Sequence, residues 1–266
     1  MKKIRINTLL EKKNNNEKIT ALTAYDYTFA YLLDEAEVDV ILVGDSLGNV
    51  CAGHDTTVPV TMDEMIYHTK SVRRGVKRSL LVADLPFMSY QVNKDKAVFN
   101  AGRMMKEGGA EAVKIEGAEM NLPAIEHLVK IGIPVMGHLG LTPQSVNQFS
   151  GFGVRGRDKL EADRIYSAAL KLEQAGAFAI VLEKIPAELA KNISDELTIP
   201  TIGIGAGAGC DGQILVTYDM LGLFDKFKPA FVKYYRKLGD DVRSAVKEYC
   251  DEVKTGKYPS EAESYE

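Results

Sequence analysis

The sequence predicts a single (β/α)8 barrel, an α/β fold in which eight parallel strands alternate with helices. Eight short apolar runs recur along the chain, and each has the composition of a strand that is buried on both faces. Segments with helical spacing separate nearly all of these runs. No linker or low-complexity segment interrupts the 266 residues, so we expect one domain over residues 1–266. A doubly wound open sheet is the alternative, because the eighth apolar run is weak.

Local signals justify the individual elements. A short polar helix is expected at the start, where it ends at three consecutive asparagines. Thr61 and Glu64 form a capping box that opens a helix, and the pair Gly108–Gly109 ends another. The predicted strands cover residues 19–24, 40–43, 80–84, 112–116, 135–139, 179–183, 201–205 and 213–216. The predicted helices cover residues 3–13, 26–36, 61–75, 95–106, 122–131, 159–175, 186–197 and 230–253.

Composition and charge argue against several functional classes. The net charge is −4 and no long basic run is present, so we expect neither a nucleic-acid nor an anionic-membrane partner. The three cysteines are far apart and form no CxxC pair, which is typical of reduced thiols. The basic N-terminal stretch lacks the apolar core of a signal peptide, and no apolar run reaches membrane length. We therefore expect a cytoplasmic protein.

Polar side chains stand where five of the predicted strands end. They are Asp45, Asp84, Lys114 with Glu116, His138, and Glu183. Side chains alternate between the two faces of a strand, so Lys114 and Glu116 share one face, with Lys114 one layer deeper. Ligands bind at the carboxyl ends of strands in parallel α/β folds. We therefore expect these groups to meet at one mouth of the barrel.

This combination of groups predicts a divalent metal site. Several acids in one apolar cup cannot all be charged without a counter-ion, and oxygen ligands favour Mg²⁺ or Mn²⁺ over zinc. We expect Asp45, Asp84 and Glu116 to supply some of the six ligand positions, with water and a chelating 2-oxo acid in the others. Glu183 is the candidate general base, and Lys114 is the candidate partner of the anionic oxygens of the substrate.

Each residue also has a structural interpretation. An acid after a strand often caps the next helix. For Asp45 or Asp84 taken alone, this interpretation is about as good as a functional one. The two glutamates are alternatively solvated rim charges, with Lys114 as their partner. A lone histidine such as His138 is more often a hydrogen-bonded structural residue than a ligand. The recurrence of such groups on five strands favours a functional site.

Six segments carry a resemblance to a known family. They read VGDSLGNVCAGHDTTVPVTMDEMIYHTKSVRRG, ADLPFMSY, VKIEG, GHLGLTPQSVNQFSGFGVRGR, VLEKIP and IGIGAGAGCDGQILVTYDMLG. In this order they closely resemble the ketopantoate hydroxymethyltransferase (3-methyl-2-oxobutanoate hydroxymethyltransferase) family, from about Thr8 to the tail. The resemblance implies a Mg²⁺-dependent barrel of the phosphoenolpyruvate/pyruvate type. It also implies a homodecamer of stacked pentameric rings.

The implied reaction transfers a hydroxymethyl group from the co-substrate 5,10-methylenetetrahydrofolate to 3-methyl-2-oxobutanoate. The product is 2-dehydropantoate, a precursor of pantothenate and coenzyme A. By motif, Asp45 and Asp84 match metal-binding aspartates, and Glu116 matches a metal-associated glutamate. The positions that match contacts to the keto acid are Asp45, Ser46, Asp84 and Lys114. Glu183 matches the proton acceptor, and His138 matches an active-site histidine near the substrate.

Three rival functions remain open at this stage. The isocitrate lyase and phosphoenolpyruvate mutase group uses a similar barrel and metal site, although the chain lacks the lyase cysteine motif KKCGH. A Schiff-base aldolase would use Lys114 as its nucleophile. A metal-dependent binding barrel would hold a keto acid without chemistry.

Overall fold

The structure is a computed structural model that describes residues 2–265, and it contains a closed barrel of eight parallel strands. The strands pair in chain order, and the last pairs with the first. They are β1 (Ile19–Thr23), β2 (Val40–Val43), β3 (Leu80–Asp84), β4 (Ala112–Glu116), β5 (Val135–Gly140), β6 (Ala179–Glu183), β7 (Thr201–Ile204) and β8 (Gly212–Leu215). The predicted fold class is thereby confirmed.

Helices follow the strands in the expected alternation. The α-helices are α1 (Ile6–Asn14), α2 (Tyr27–Glu35), α3 (Leu47–Val50), α4 (Met62–Gly75), α5 (Lys94–Arg103), α6 (Leu122–Lys130), α7 (Lys159–Gln174), α8 (Ala187–Glu196), α9 (Thr217–Met220) and α10 (Leu238–Thr255). A π-helical turn, Met104–Gly108, continues α5, and 3-10 turns lie at Pro143–Ser145 and Glu261–Glu263. The capping box of α4 forms as predicted, because the Thr61 side chain accepts from Glu64 N and Glu64 accepts from Thr61 N.

Closure depends on the weakly predicted eighth strand. Gly212 pairs with Ile19 of β1, and a Cβ atom at Gly212 would lie 2.5 Å from the Ile19 carbonyl oxygen. A glycine is therefore needed for the two strands to approach. Since β8 pairs with both β7 and β1, the open-sheet alternative is wrong.

Helix α1 packs beneath the barrel at the end away from the strand carboxyl termini. Leu9 is fully buried in the same core cluster as inward residues of the strands. Two ion pairs join α1 to the barrel, from Lys12 Nζ to Asp39 Oδ2 and from Lys13 Nζ to Asp211 Oδ2, each at 2.8 Å. One end of the barrel is thus covered by this helix.

The chain divides into two compact units, one up to Val216 and one from Thr217 onward. The first unit contains the barrel. The second contains α9 and α10, and Arg243 of α10 pairs with Asp225 at 2.8 Å. None of the helices in residues 2–265 is long and apolar enough to cross a bilayer. One domain over residues 1–266 stays a prediction.

The predicted helix over residues 230–253 is wrong in its first eight residues, because α10 begins at Leu238. The backbone N–H groups of Tyr235 and Leu238 donate to the carbonyl oxygens of Met220 and Leu221. These bonds pair residues 235–238 with the end of α9. Residues 230–237 therefore do not form the i to i−4 hydrogen bonds of a helix.

Candidate active site

Register and side-chain alternation bring the predicted site residues together at the strand carboxyl ends. Asp84 of β3 lies beside Lys114 of β4, and Glu116 of β4 lies beside His138 of β5. On β3 the inward residues before Asp84 belong to the barrel core, so the next inward position is the mouth. Each of these four residues is at most 5% exposed. The predicted convergence on one mouth is observed.

Asp45 enters the cluster from the turn that follows β2. Its backbone N–H donates to Asp84 Oδ2 at 3.0 Å. A Cβ atom on Gly44 would lie 2.7 Å from Ser46 Oγ, so the turn has no space for a larger residue in this arrangement. Ser46 Oγ is 2.8 Å from the hydroxyl of Tyr25. Asp45 and Ser46, in the turn after β2, thus both reach the mouth.

Lys114 provides the positive charge at the centre of the cluster. Its Nζ lies 3.0 Å from Asp84 Oδ1, 4.0 Å from Glu116 Oε1 and 3.1 Å from His138 Nδ1. Burying carboxylates without such a partner would cost several kcal/mol each. The lysine therefore makes the burial of these acids tolerable.

His138 links the two glutamates across the mouth. Its Nδ1 is 3.3 Å from Glu116 Oε1, and its Nε2 is 3.2 Å from Glu183 Oε2. The imidazole thus has Glu116 and Lys114 on its Nδ1 side and Glu183 on its Nε2 side. The side chain of Glu183 is 15% exposed, against 4% for Glu116. Glu183 is thus the more accessible of the two carboxylates.

The environment shifts the pKa values of these groups in different directions. Burial, and then the charges of neighbouring carboxylates, raises the pKa of Asp45 well above its usual range. Burial also raises the pKa of Asp84, although Lys114 opposes this effect. For Glu116, burial alone would raise the pKa, but His138 and Lys114 lower it below the usual value. The pKa values of Asp45 and Asp84 are thus raised in the same cluster in which that of Glu116 is lowered.

The pKa of Lys114 itself is raised. Burial alone would lower it, but Asp84, Glu116 and Asp45 together outweigh burial. Burial and Lys114 also lower the pKa of His138, whereas its contacts with Glu116 and Glu183 raise it overall. Lys114 is therefore a protonated amine, which is a poor nucleophile.

Sequence reasoning missed Gln144, which lies in the 3-10 turn after β5. This buried residue donates from Nε2 to Asp45 Oδ2 at 2.8 Å and from its backbone N to Glu116 Oε2 at 3.0 Å. Tyr90, also buried, donates its hydroxyl to Gln144 Oε1 at 2.7 Å. Gln144 belongs to the segment GHLGLTPQ, but nothing in the pattern distinguished it from an ordinary loop residue.

The donor set fits a hard divalent cation by its chemistry. Asp84 Oδ1 and Glu116 Oε1 are buried oxygens of this set, and they lie 3.0 Å from Lys114 Nζ and 3.3 Å from His138 Nδ1. No three His, Cys, Asp or Glu side chains within residues 2–265 already surround one point as metal ligands do. A cation here would thus take two or three carboxylate oxygens and draw its other ligands from water or substrate.

Comparison with known proteins shows the family of this chain. Residues 3–261 match the family described as ketopantoate hydroxymethyltransferase. The chain belongs to this family. It is 54% identical over 265 residues to 3-methyl-2-oxobutanoate hydroxymethyltransferase of Caldicellulosiruptor saccharolyticus, covering 100% of both chains. It is 56% identical over 252 residues to the enzyme of that name from Enterococcus faecalis, covering 95% of this chain and 92% of the relative.

Among solved structures, this chain has the same fold as a phosphonopyruvate hydrolase in complex with oxalate and Mg²⁺. The TM-score is 0.63 at 13% identity, covering 99% of this chain and 92% of the other. At this identity the likeness shows the fold alone. Family membership rests on the relatives that are more than 50% identical, so the mutase and lyase rival is not supported as the activity.

Proposed function

We propose that this chain transfers a hydroxymethyl group from 5,10-methylenetetrahydrofolate to 3-methyl-2-oxobutanoate to form 2-dehydropantoate. The observation that carries the proposal is the mouth of the barrel, where buried acids and a lysine face an accessible carboxylate on β6. Family membership supports the choice of reaction. The product places the reaction in pantothenate and coenzyme A synthesis.

The keto acid would bind through its carboxylate and keto oxygens. Lys114 supplies a positive charge for these oxygens, and Ser46 supplies a hydroxyl group at the edge of the cluster. Asp45, Asp84 and Glu116 are the residues that would hold Mg²⁺, an ion that the related barrel of phosphonopyruvate hydrolase contains together with oxalate. When bound, Mg²⁺ would stabilise negative charge on the substrate oxygens as a Lewis acid.

Glu183 would then remove the proton from C3 of the keto acid. The C3–H bond breaks, the proton moves to a carboxylate oxygen, and the electron pair forms the enolate. His138, 3.2 Å from Glu183 Oε2, orients this carboxylate. The enolate carbon bonds to the one-carbon unit of the folate. Both bonds from that unit to the two folate nitrogens break, and water supplies the hydroxyl group. The other proton of water and the proton taken by Glu183 end on the two nitrogens, which restores tetrahydrofolate.

The Schiff-base alternative is disfavoured by the environment of Lys114. Three carboxylates keep this amine protonated, and Asp84 Oδ1 lies 3.0 Å from it. We expect no covalent adduct after borohydride treatment with substrate, and we expect EDTA to abolish activity. A trapped adduct on Lys114 would reverse this assignment.

The decisive experiment follows deuterium exchange at C3 of the keto acid in D2O by NMR, with and without Mg²⁺ and tetrahydrofolate. We expect Mg²⁺-dependent exchange by the unchanged protein and none by Glu183→Gln, although the variant still binds the keto acid. Glu188→Gln is the matched control, because Glu188 is an exposed residue in the first turn of α8. Undiminished exchange by Glu183→Gln would remove Glu183 as the base. Keto-acid binding without exchange by the unchanged protein would favour a binding barrel.

Assembly and location belong to the same proposal. Large apolar side chains on the outside of the barrel unit support self-association, with Tyr27, Leu32 and Tyr67 each at least 50% exposed. We propose the homodecamer implied by the family, which light scattering would test against a monomer mass. We propose a cytoplasmic location because the described cysteines form no disulfide.

A further inference from the structure

Gln144 has a fully paired side-chain amide in the interior of the site. Its Nε2 donates to Asp45 Oδ2 at 2.8 Å and to the Leu85 carbonyl oxygen at 2.9 Å. Its Oε1 accepts from the Tyr90 hydroxyl at 2.7 Å and from Gln91 Nε2 at 3.2 Å. Since two obligate acceptors face the nitrogen, a rotated amide would place its oxygen against both of them and lose those two hydrogen bonds.

Gln144 determines which oxygens of two carboxylates remain available to bind a cation. The side chain of Gln144 holds Asp45 Oδ2, and its backbone N–H holds Glu116 Oε2. The third carboxylate follows the same pattern, because Asp45 N holds Asp84 Oδ2. The other oxygens, Asp84 Oδ1 and Glu116 Oε1, lie 3.0 Å from Lys114 Nζ and 3.3 Å from His138 Nδ1. One oxygen of each carboxylate is thus fixed by an N–H donor.

We propose that Gln144 is a positioning residue that presents Asp45 and Glu116 to a divalent cation. The inference rests on the proposed function, in which these acids hold Mg²⁺. Residues that hydrogen-bond metal ligands from behind orient them, and their loss typically costs 10–100-fold in metal affinity. One residue acts on acids from β2 and β4, which are not adjacent strands. A side-chain substitution therefore removes the bond to Asp45, whereas the backbone N–H still donates to Glu116.

A purely structural role would leave a different signature. Gln144 also ties the segments after β3 and β5 through Leu85 and Tyr90, so its loss also destabilises the protein without metal. A structural role alone lowers stability equally with and without the cation. A positioning role also reduces the stabilisation that the cation adds, which is RT ln(1 + [cation]/Kd) for one site.

The experiment measures Mn²⁺ and Mg²⁺ binding by calorimetry on the full chain, together with thermal unfolding in EDTA and in a fixed excess of each cation. We expect Gln144→Met to weaken binding by about 10–100-fold and to shrink the cation-dependent rise in Tm. Gln174→Met is the matched control at an exposed position of α7, and we expect the Kd of the unchanged protein. Tyr90→Phe removes the hydroxyl that donates to Gln144 Oε1 and accepts from Glu116 N at 3.3 Å, and we expect a several-fold weaker Kd.

The outcomes separate this inference from the proposed function. A Kd in Gln144→Met equal to that of the unchanged protein overturns the positioning role, whatever happens to stability in EDTA. If that variant does not fold, an unchanged Kd in Tyr90→Phe overturns the role. Absence of cation binding by the unchanged protein overturns the metal site itself, and the positioning role with it.

Discussion

Lys114→Met removes the positive charge at the centre of the buried cluster while keeping most of the side-chain volume. The ammonium group lies within 4.0 Å of Asp84 Oδ1, Glu116 Oε1 and His138 Nδ1, and the lysine is 5% exposed. Removing one partner of a buried ion pair costs about 3–5 kcal/mol, because the remaining charges stay buried without compensation. With an m-value of about 2–3 kcal/mol per M, the urea midpoint should fall by about 1–2.5 M.

The loss should depend on pH in a defined direction. The pKa values of Asp45 and Asp84 are raised in the folded protein, and Lys114 opposes both shifts. A raised carboxyl pKa means that the folded state binds the proton more tightly than the unfolded state. Such a group destabilises the fold as the pH rises above the ordinary carboxyl pKa of about 4. Without Lys114 both shifts increase, so the penalty should be small near pH 4 and largest at pH 8.

The assay is urea unfolding in EDTA at several pH values between 4 and 8, repeated with Mg²⁺. Lys191→Met is the matched control, because Lys191 forms an ion pair with Asp195 in which both side chains are 61% exposed. Such an exposed pair contributes at most about 1 kcal/mol. We expect Mg²⁺ to restore part of the stability of Lys114→Met by replacing the lost charge. A variant within about 1 kcal/mol of the unchanged protein at pH 8 in EDTA would refute the reasoning.

Three further predictions follow from the same contacts. Asp84→Ala should weaken Mg²⁺ binding at least about 10-fold by calorimetry, and equal affinity would discard its role as a ligand. Gly140→Ala should lower the free energy of unfolding in urea by about 2–4 kcal/mol and slow C3 exchange. The reason is that Gly140 has φ +91° and a Cβ atom there would overlap the Glu183 carbonyl oxygen. Unchanged exchange would contradict this expectation. Asp34→Asn should lower the free energy of unfolding by about 2–3 kcal/mol at pH 7, because the Asp34 carboxylate accepts hydrogen bonds from the backbone N–H groups of residues 77–79. Burial alone would raise the pKa of Asp34, but these hydrogen bonds lower it. That stabilisation is present above the usual pKa and is lost as pH falls through the lowered value, so a constant difference between the two proteins down to pH 2 would contradict it.

The sequence by itself was sufficient for the fold class and for the convergence of polar side chains on one mouth of the barrel. Apolar runs separated by helical segments identify strands and helices from local information, because burial and periodicity are visible in neighbouring residues. Polar groups at the ends of several runs then lie together, because parallel strands in a barrel have their carboxyl ends on the same side. Asp84, Lys114, Glu116 and His138 are therefore found at one mouth, as their positions in the chain predicted.

Tertiary structure decided the features that depend on distant partners. Residues 230–237 have helical spacing, but their neighbours in α9 offer carbonyl groups that divert the backbone N–H groups at Tyr235 and Leu238. Gln144 looks like any polar loop residue until folding brings Asp45 within 2.8 Å of its amide, 99 positions away in the chain. Distances between groups on different strands likewise decide which carboxylate oxygen accepts a hydrogen bond and which stays available to a cation. Spacing along a chain determines the face on which a side chain lies, whereas the direction of a hydrogen bond depends on groups that only the folded barrel brings together.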